Sequence, residues 1–269
     1  MILSRTAKTV LGVLTGIVLL VVYVPLAVVV LNSFNTSRSF TFPPSGWTTE
    51  WWDAAWHNDE VRESLGLSLQ VAAVATVISL VLGTMAALAL ARYRFFGRDA
   101  VSLLIILPIA LPGIVTGLAF QNVFSSVLGI NLGFWTIVVA HTTFCIVTVF
   151  NNVLARLRRV GGNLEEASMD LGAGTFTTFR LVTFPVLRSA LLAGGLLAFA
   201  LSFDEIIVTT FTAGGGTKTL PIWILDHMFR PNDAPVVNVI AAALIFVSII
   251  PIWIAQRLSQ GDEAIGART

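Results

Sequence analysis

The feature that most constrains this sequence is the length of its charge-free runs. The 56 residues from Ala100 to Ala155 contain no Asp, Glu, Lys or Arg. Across the 269 residues, 56% are apolar, only 12% are charged, and the mean hydropathy is +0.86. Soluble domains carry about 25% charged residues. These values argue against a soluble enzyme and predict an integral membrane protein with one domain, residues 1–269.

Membrane-spanning helices account for the charge-free runs. About 20 apolar residues at about 1.5 Å per residue cross a hydrocarbon layer of about 30 Å. We predict an all-α protein with six spans, two of which lie in the long run and are separated by Gln121–Gly133. The other four are predicted at Val10–Leu31, Ser64–Ala91, Ser189–Thr212 and Ala234–Gln256.

The N-terminal span is predicted to be a retained helix. Arg5 and Lys8 could form the charged start of a signal peptide. The apolar run that follows them is longer than the roughly 7–15 residues of a signal sequence, and no small-x-small cleavage site follows it.

The distribution of Lys and Arg predicts the orientation of the spans. With the N-terminus in the cytoplasm, the inner side holds twelve of the sixteen basic residues, and the outer side holds Arg38, Arg62, Lys218 and Arg230. Cytoplasmic loops carry the excess of basic residues in membrane proteins. Both termini are therefore predicted to be cytoplasmic.

Small residues and prolines within the spans bear on helix packing. Gly12-x-x-x-Gly16 and Gly113-x-x-x-Gly117 each place two glycines on one helix face, which permits close approach of a neighbour. The alternative is that glycine is simply common in membrane helices. Pro112, within the third predicted span, is expected to kink its helix, as are Pro25 and Pro108.

The predicted cytoplasmic loop between spans four and five, about Arg156–Arg188, has an ordered pattern. Asn163 with Glu166 three residues later resembles a capping box. A short helix is predicted over Leu164–Leu171, with Gly172 or Gly174 ending it.

A second short segment completes this loop. Thr175–Phe184 runs up to Pro185, which is predicted to begin the fifth span. The two segments form a helix–turn–helix elbow at the inner membrane surface, and Gly172 supplies a positive-φ turn between them.

The loop contains a recognisable motif. Glu166-Ala167-Ser168-x3-Gly172 is followed, after nine residues, by Val182-x-Phe184-Pro185. This pattern resembles the EAA motif of permease subunits of binding-protein-dependent ABC importers, Glu-Ala-Ala-x3-Gly-x9-Ile-x-Leu-Pro. The chain departs from it at Ser168, Val182 and Phe184, where the family has Ala, Ile and Leu.

Two further stretches, Leu187–Gly194 and Leu201–Glu205, resemble the second permease subunit of spermidine/putrescine importers. The resemblance implies a type I ABC importer transmembrane domain that carries a polyamine. Related permeases carry other small solutes, such as thiamine or iron, and that alternative stays open.

The resemblance also implies a coupling helix that docks on an ATPase. An ordinary amphipathic surface helix is the alternative. The residues that the motif assigns to ATPase coupling are Glu165, Glu166, Ala167, Ser168, Asp170, Leu171, Gly172 and Ala173.

The implied partners are a second permease subunit in a heterodimer, two ATP-binding subunits, an extracytoplasmic substrate-binding protein and membrane lipid. The implied location is the inner membrane of a prokaryote. ATP and Mg²⁺ would be bound by the ATPase subunits, so no cofactor is expected in this chain.

Two adjacent acids lie within the fifth predicted span. A carboxylate at bilayer depth costs at least about 2.5–3.5 kcal/mol on insertion scales and usually marks a polar pathway. We predict that Asp204 faces the substrate pathway with Ser202 nearby, and that Glu205 lines its edge or binds a neighbouring helix. The alternative is a polar clamp between helices or an acid near the outer interface.

The first predicted outer loop is rich in tryptophan and acids. Trp51, Trp52 and Trp56 have the spacing of a short helix. The preferred interpretation is an interfacial helix anchored at headgroup depth, and the alternative is a lip that contacts the binding protein or the cation.

Other kinds of site find no support in the sequence. Gly214–Thr219 lacks the Gly directly before Lys that a phosphate loop needs, and His57, His141 and His227 lack metal-ligand spacing. No catalytic or metal site is predicted, and a net charge of +1 predicts no nucleic-acid partner. An ion-coupled secondary transporter is the remaining competing class.

Overall fold

The computed structural model of the chain describes residues 4–38, 43–230 and 232–249. Within these ranges the chain is mainly helical and has no strand, only an isolated antiparallel bridge between Asn35 and Trp47. The helices are α1 (Arg5–Asn32), α2 (Glu50–Trp56), α3 (Asp59–Arg92), α4 (Arg98–Ala110), α5 (Gly113–Asn122), α6 (Phe134–Val160), α7 (Asn163–Asp170), α8 (Thr175–Thr178), α9 (Phe184–Phe203), α10 (Ile207–Thr212), α11 (Leu220–His227) and α12 (Ala234–Ile249). The all-α prediction is confirmed for the part of the chain that the structure describes.

Among the described residues, four helices are long and apolar enough to cross a membrane: α1, α3, α6 and the continuous stretch Thr175–Phe203. A fifth crossing is present if α4 and the segment Gly113–Val127 together form one broken span. The predicted sixth span begins at Ala234, as α12 does, but its last residues, 250–256, lie outside the described residues. A total of six spans therefore stays a prediction.

The third predicted span is not a single straight helix. It breaks at Leu111 and Pro112, and the two halves meet at 103°. Proline has no N–H to donate and forces the preceding residue out of the helical conformation, and Leu111 is accordingly extended, with ψ 144°. The helix then continues past Gln121 through a π turn, Val123–Val127, so the predicted break begins at Leu128 rather than Gln121.

The prediction that the fifth span is one continuous helix is also wrong. α9 ends at Phe203, and α10 begins at Ile207 after a three-residue break that contains Asp204 and Glu205. The Glu205 carboxylate accepts a hydrogen bond from the Val208 N–H at 2.8 Å. A carboxylate that takes a free N–H at a helix start stabilises a new helix there rather than the continuation of the old one.

At its inner end, the same helix is longer than predicted. Helical structure runs unbroken from Thr175 to Phe203, so Pro185 lies inside it and does not mark its start. A π turn at Phe179–Thr183 precedes the proline. Proline cannot bond to the carbonyl four residues earlier, which is Leu181, and the wider turn accommodates this lost bond.

The core of the bundle is formed where α3, α6 and α9 approach closely. Val149 on α6 is fully buried. A Cβ at Gly83 on α3 would lie 3.0 Å from the Val149 side chain, and a Cβ at Gly194 on α9 would lie 3.2 Å from the Val149 Cα. Glycines on both neighbours therefore allow the three backbones to pack around one valine.

The two helices that follow a break, α5 and α10, pack against each other. A Cβ at Gly113 would lie 3.4 Å from Ile207, and one at Gly117 would lie 2.6 Å from the Phe211 ring. This glycine pair is thus a packing face, as its spacing predicts. Gly12 and Gly16 have no such neighbour within 4 Å in the part of the chain that the structure describes.

The described chain divides into two compact units. One contains the residues up to Arg62 and those from Ile224 onward, and the other is Glu63–Trp223. The second unit contains α4 to α10 and with them every predicted coupling and pathway residue. The single domain over residues 1–269 stays a prediction.

Candidate functional site

The predicted coupling helix is α7, which begins one residue earlier than expected. Its N-cap is Gly162, whose carbonyl accepts hydrogen bonds from the N–H groups of Glu165 and Glu166. The predicted capping box at Asn163 is wrong, because Asn163 is already helical and no side chain caps this end. Gly161, with φ +75°, turns the chain from α6 into α7. Gly161 and Gly162 are the two residues between these helices, and neither has a side chain that could cap α7.

The far end of α7 closes as the sequence predicts. Gly172 has φ +86°. Its N–H bonds to the Met169 carbonyl at 2.9 Å, and the Ala173 N–H bonds to the Ser168 carbonyl at 3.1 Å. These two bonds with a left-handed glycine are a Schellman motif, so Gly172 sets the direction in which the chain leaves α7.

Glu165 anchors α7 to the rest of the protein. Its Oε2 lies 2.7 Å from Arg92 Nε, and its Oε1 accepts hydrogen bonds from Arg92 Nη2 at 3.0 Å and Thr183 Oγ1 at 2.8 Å. Arg92 Nη2 also donates to the Gly161 carbonyl. One carboxylate therefore ties α7 to the last residue of α3 and to the π turn before α9.

Ser168 makes a second attachment. Its hydroxyl lies 3.1 Å from the Thr178 hydroxyl on α8. The family motif has alanine here, so the departure at Ser168 adds a polar link across the elbow. Glu165 and Ser168, three residues apart, share the inner face of α7.

The other side of α7 and the turn that follows it are exposed. Glu166, Ala167, Asp170 and Gly172 are all exposed, and Ala173 is half-buried. Leu171 is 89% exposed and Phe176 is 76% exposed. Exposed large apolar side chains can mark interaction surfaces. Leu171 is one of the residues that the motif assigns to ATPase coupling, and Phe176 lies just after them.

The acids at the α9–α10 break have different environments. Asp204 is exposed, and within the described residues its carboxylate makes no hydrogen bond or ion pair. Glu205 is half-buried and bonded to the first turn of α10. The geometry thus leaves Asp204 available to a ligand and gives Glu205 a structural bond.

Ser202 is buried and does not stand beside Asp204 as a free hydroxyl. Its Oγ lies 2.8 Å from His141 Nδ1 on α6, and the other ring nitrogen of His141 lies 2.8 Å from Thr209 Oγ1 on α10. His141 and Thr209 were missed by sequence reasoning, which considered His141 only as a metal ligand. An ionisable side chain within a predicted span was the signal that could have found it.

Arg92 and Thr183 were missed as well. The sequence marks Arg92 as a basic residue at the inner end of a span, but it contains nothing that pairs this residue with Glu165. Within the described part of the chain, no three His, Cys, Asp or Glu side chains are grouped so that they could hold a metal ion.

The tryptophan-rich loop forms the predicted short helix, α2. The ring of Trp52 stacks on that of Phe34 with 5.3 Å between their centroids, and Trp51 donates its Nε1–H to the Asn35 carbonyl at 2.8 Å. Trp56 is exposed. Two of the three tryptophans therefore hold α2 against the end of α1, and Trp56 is free to meet a membrane interface or a partner.

Solved structures share this fold. A bacterial ABC transporter that imports the acidic polysaccharide alginate matches with a TM-score of 0.70 over 97% of this chain and 99% of its own, at 18% identity. An amino acid ABC transporter matches with a TM-score of 0.56 over 81% of this chain and 99% of its own, also at 18% identity. At 18% identity, these similarities establish the fold that the chain shares with the two transporters.

The family follows from the sequence comparisons. Residues 79–261 match the family described as "Binding-protein-dependent transport system inner membrane component". The chain belongs to this family of multi-pass inner-membrane permeases, which are components of transport systems that include a binding protein.

Named relatives are similar over most of their length. The spermidine/putrescine transport system permease protein PotC of Escherichia coli (strain K12) is 34% identical over 91% of both chains. The putrescine transport system permease protein PotI of the same organism is 34% identical over 83% of this chain and 81% of its own. A putative 2-aminoethylphosphonate permease, PhnV of Salmonella typhimurium, is 28% identical over 97% of this chain and 99% of its own.

Proposed function

We propose that this chain is the permease subunit through which a polyamine crosses the inner membrane, driven by a partner ATPase. The observation that carries the proposal is the 34% identity, over 91% of both chains, with a spermidine/putrescine permease. Spermidine and putrescine are cations, and their transport requires anionic or polar groups along the route.

Asp204 is the group proposed to meet the cargo. Its carboxylate is exposed and has no partner within the described residues. Carboxylates form charge-assisted hydrogen bonds with ammonium groups. Ser202, two residues earlier in the last turn of α9, is assigned to the same pathway. Glu205 is assigned to its edge, where it supports the start of α10.

The coupling residues are proposed to receive the ATPase. Leu171 and Phe176 present apolar surface that a groove on an ATP-binding subunit could cover. Force on α7 would pass through the Glu165 carboxylate to Arg92 on α3 and to Thr183 before α9. Because α9 leads to the break at Asp204, movement of the elbow would reach the pathway through one continuous helix.

The complete transporter is proposed to contain a second permease subunit, two ATP-binding subunits and an external substrate-binding protein. ATP and Mg²⁺ are bound by the ATPase subunits in this proposal. Both termini of this chain are placed in the cytoplasm, because that orientation puts twelve of the sixteen basic residues, and the elbow, on the inner side.

Uptake by the reconstituted transporter tests this proposal. Proteoliposomes that contain the full assembly and its binding protein are expected to accumulate labelled spermidine or putrescine only with internal ATP. Thiamine, iron and 2-aminoethylphosphonate serve as competing cargoes, and preference for any of them would overturn the polyamine assignment. Uptake without ATP but with an ion gradient would instead indicate a secondary transporter.

A further inference from the structure

We propose that His141 is a positioning residue that holds α9 and α10 together across the break and so fixes Asp204 in the pathway. His141 is fully buried on α6. It contacts Ser202, in the last turn of α9, and Thr209, in the first turn of α10. The inference rests on the proposed pathway role of Asp204.

The hydrogen-bond network assigns a proton to one nitrogen of His141. The Thr209 hydroxyl donates its single hydrogen to the Glu205 carbonyl at 2.7 Å. The Thr209 oxygen must therefore accept at its other contact, so His141 Nε2 carries the proton and donates it. Nδ1 then accepts from the Ser202 hydroxyl at 2.8 Å. This tautomer is inferred from the partners, and it satisfies both ends of the imidazole.

The hydrogen bonds of His141 replace backbone hydrogen bonds that are missing at the helix break. Residues 204–206 interrupt the helix between α9 and α10, so the regular i to i−4 ladder does not connect the two. His141, which lies on α6, links the two helices by side-chain hydrogen bonds to one residue of each. The side chain of His141 thereby provides hydrogen bonds between α9 and α10 where the backbone ladder is interrupted.

Two further residues of α6 support the same pair of helices. Cys145 Sγ donates to the Ala198 carbonyl on α9 at 3.2 Å. Thr136 Oγ1 bonds to the Thr212 carbonyl at the end of α10 at 2.7 Å. Thr136 lies five residues before His141 and Cys145 four residues after it, so α6 makes polar contacts with the helices on both sides of the break.

Local hydrogen exchange in the reconstituted full transporter tests the role of His141. The reporters are the amides of Val208 and Thr210, which bond within the first turns of α10. In His141→Leu we expect both to exchange roughly 5- to 30-fold faster, the factors for one and two lost hydrogen bonds of about 1 kcal/mol each. His141→Gln keeps one acceptor and one donor, so it should restore slow exchange.

A matched control separates this role from general packing. Ser79 on α3 is buried and donates to the Thr142 carbonyl, one residue from His141, at 3.3 Å. Ser79→Ala removes a buried hydrogen bond to α6 that involves no atom of α9 or α10. Thr209→Val, which is isosteric, provides a second variant if His141→Leu fails to assemble.

The outcomes distinguish the two proposals. Unchanged exchange in His141→Leu and Thr209→Val, or equal acceleration in Ser79→Ala, would overturn the positioning role. Acceleration confined to the His141 and Thr209 variants, together with polyamine uptake that falls in His141→Leu and recovers in His141→Gln, would support it. If the unmodified transporter takes up no polyamine while the exchange pattern holds, only the proposed cargo fails and the positioning role stands.

Discussion

The Arg92 guanidinium meets the Glu165 carboxylate at two points: Nε lies 2.7 Å from Oε2, and Nη2 lies 3.0 Å from Oε1. The two residues are 73 positions apart in the chain. Both side chains are less than a quarter exposed, so solvent screens the pair less than it would a surface pair. The contact is the main polar link between α3 and the elbow.

Loss of this pair should weaken coupling. Arg92→Ala leaves the Glu165 carboxylate without its cation, and hydrogen bonds to charged groups are worth about 1.5–3 kcal/mol. We expect more ATP hydrolysed per polyamine imported, measured in proteoliposomes, with normal membrane insertion. Arg94→Ala, an exposed arginine in the adjacent loop, is the control. If both variants hydrolyse the same amount of ATP per polyamine imported, the Arg92–Glu165 pair does not transmit force.

Gly172 should tolerate a side chain poorly although space surrounds it. A Cβ there would meet no atom within 4 Å, but φ is +86°, a conformation that costs other residues about 1–2 kcal/mol. Gly172→Val should therefore distort the end of α7 and reduce transport per ATP hydrolysed. Gly174→Val is matched, because Gly174 also has open space but has φ −71°. If both valines behave alike, backbone strain at Gly172 is not the cause.

Asp204 and Glu205 should respond differently to loss of charge. Asp204→Asn removes an exposed carboxylate and should lower the polyamine uptake rate by about tenfold, which corresponds to about 1.4 kcal/mol. Glu205→Gln keeps a side-chain oxygen that can accept from the Val208 N–H, so its effect should be smaller. Uptake kinetics with labelled putrescine measure both. Equal losses would contradict the separation of roles.

Leu171 should contribute directly to ATPase binding. Burial of a leucine side chain stabilises a contact by about 1.5–3 kcal/mol, so Leu171→Ser should weaken binding of the ATP-binding subunit by about tenfold or more. Affinity can be measured with purified subunits in nanodiscs. Phe96→Ser, which changes a fully exposed residue in the loop between α3 and α4, should leave that affinity intact. Undiminished affinity in Leu171→Ser would mean that the ATPase docks elsewhere.

Gly117 should be intolerant of alanine for a steric reason. An added Cβ would lie 2.6 Å from the Phe211 ring, and overpacking costs about 1–3 kcal/mol. Thermal unfolding of the purified protein should therefore occur at a lower temperature in Gly117→Ala. Gly12→Ala, where no atom lies within 4 Å, should not be destabilised. A Gly117→Ala variant as stable as Gly12→Ala would argue that α5 and α10 separate easily.

Local patterns were enough to predict several elements of the fold. The charge-free run Thr9–Ser37 predicts α1, and the run after Gly133 predicts α6, because backbone groups in a membrane must be bonded within a helix. The motif spacing placed Gly172 in a positive-φ turn, which only a glycine adopts without strain. These features depend on residues within a few positions of one another.

The helix breaks could be predicted only in part. Pro112 was expected to kink its helix, but proline alone does not specify the 103° angle or the contact of α5 with α10 that follows it. The Asp204–Glu205 pair was expected within a continuous span. The break forms there because Glu205 bonds to the Val208 N–H, and hydropathy averaged over a span is insensitive to a single side-chain bond.

The sequence by itself therefore determined the membrane class, the main helices and the coupling motif, since these follow from hydropathy and short-range spacing. Only the tertiary structure decided that Arg92 anchors Glu165 and that His141 bridges Ser202 and Thr209, contacts that join residues more than sixty positions apart. The physical reason is that a buried polar group is stabilised by whichever partner helix packing brings within about 3 Å, and packing of distant helices leaves no local pattern in the chain.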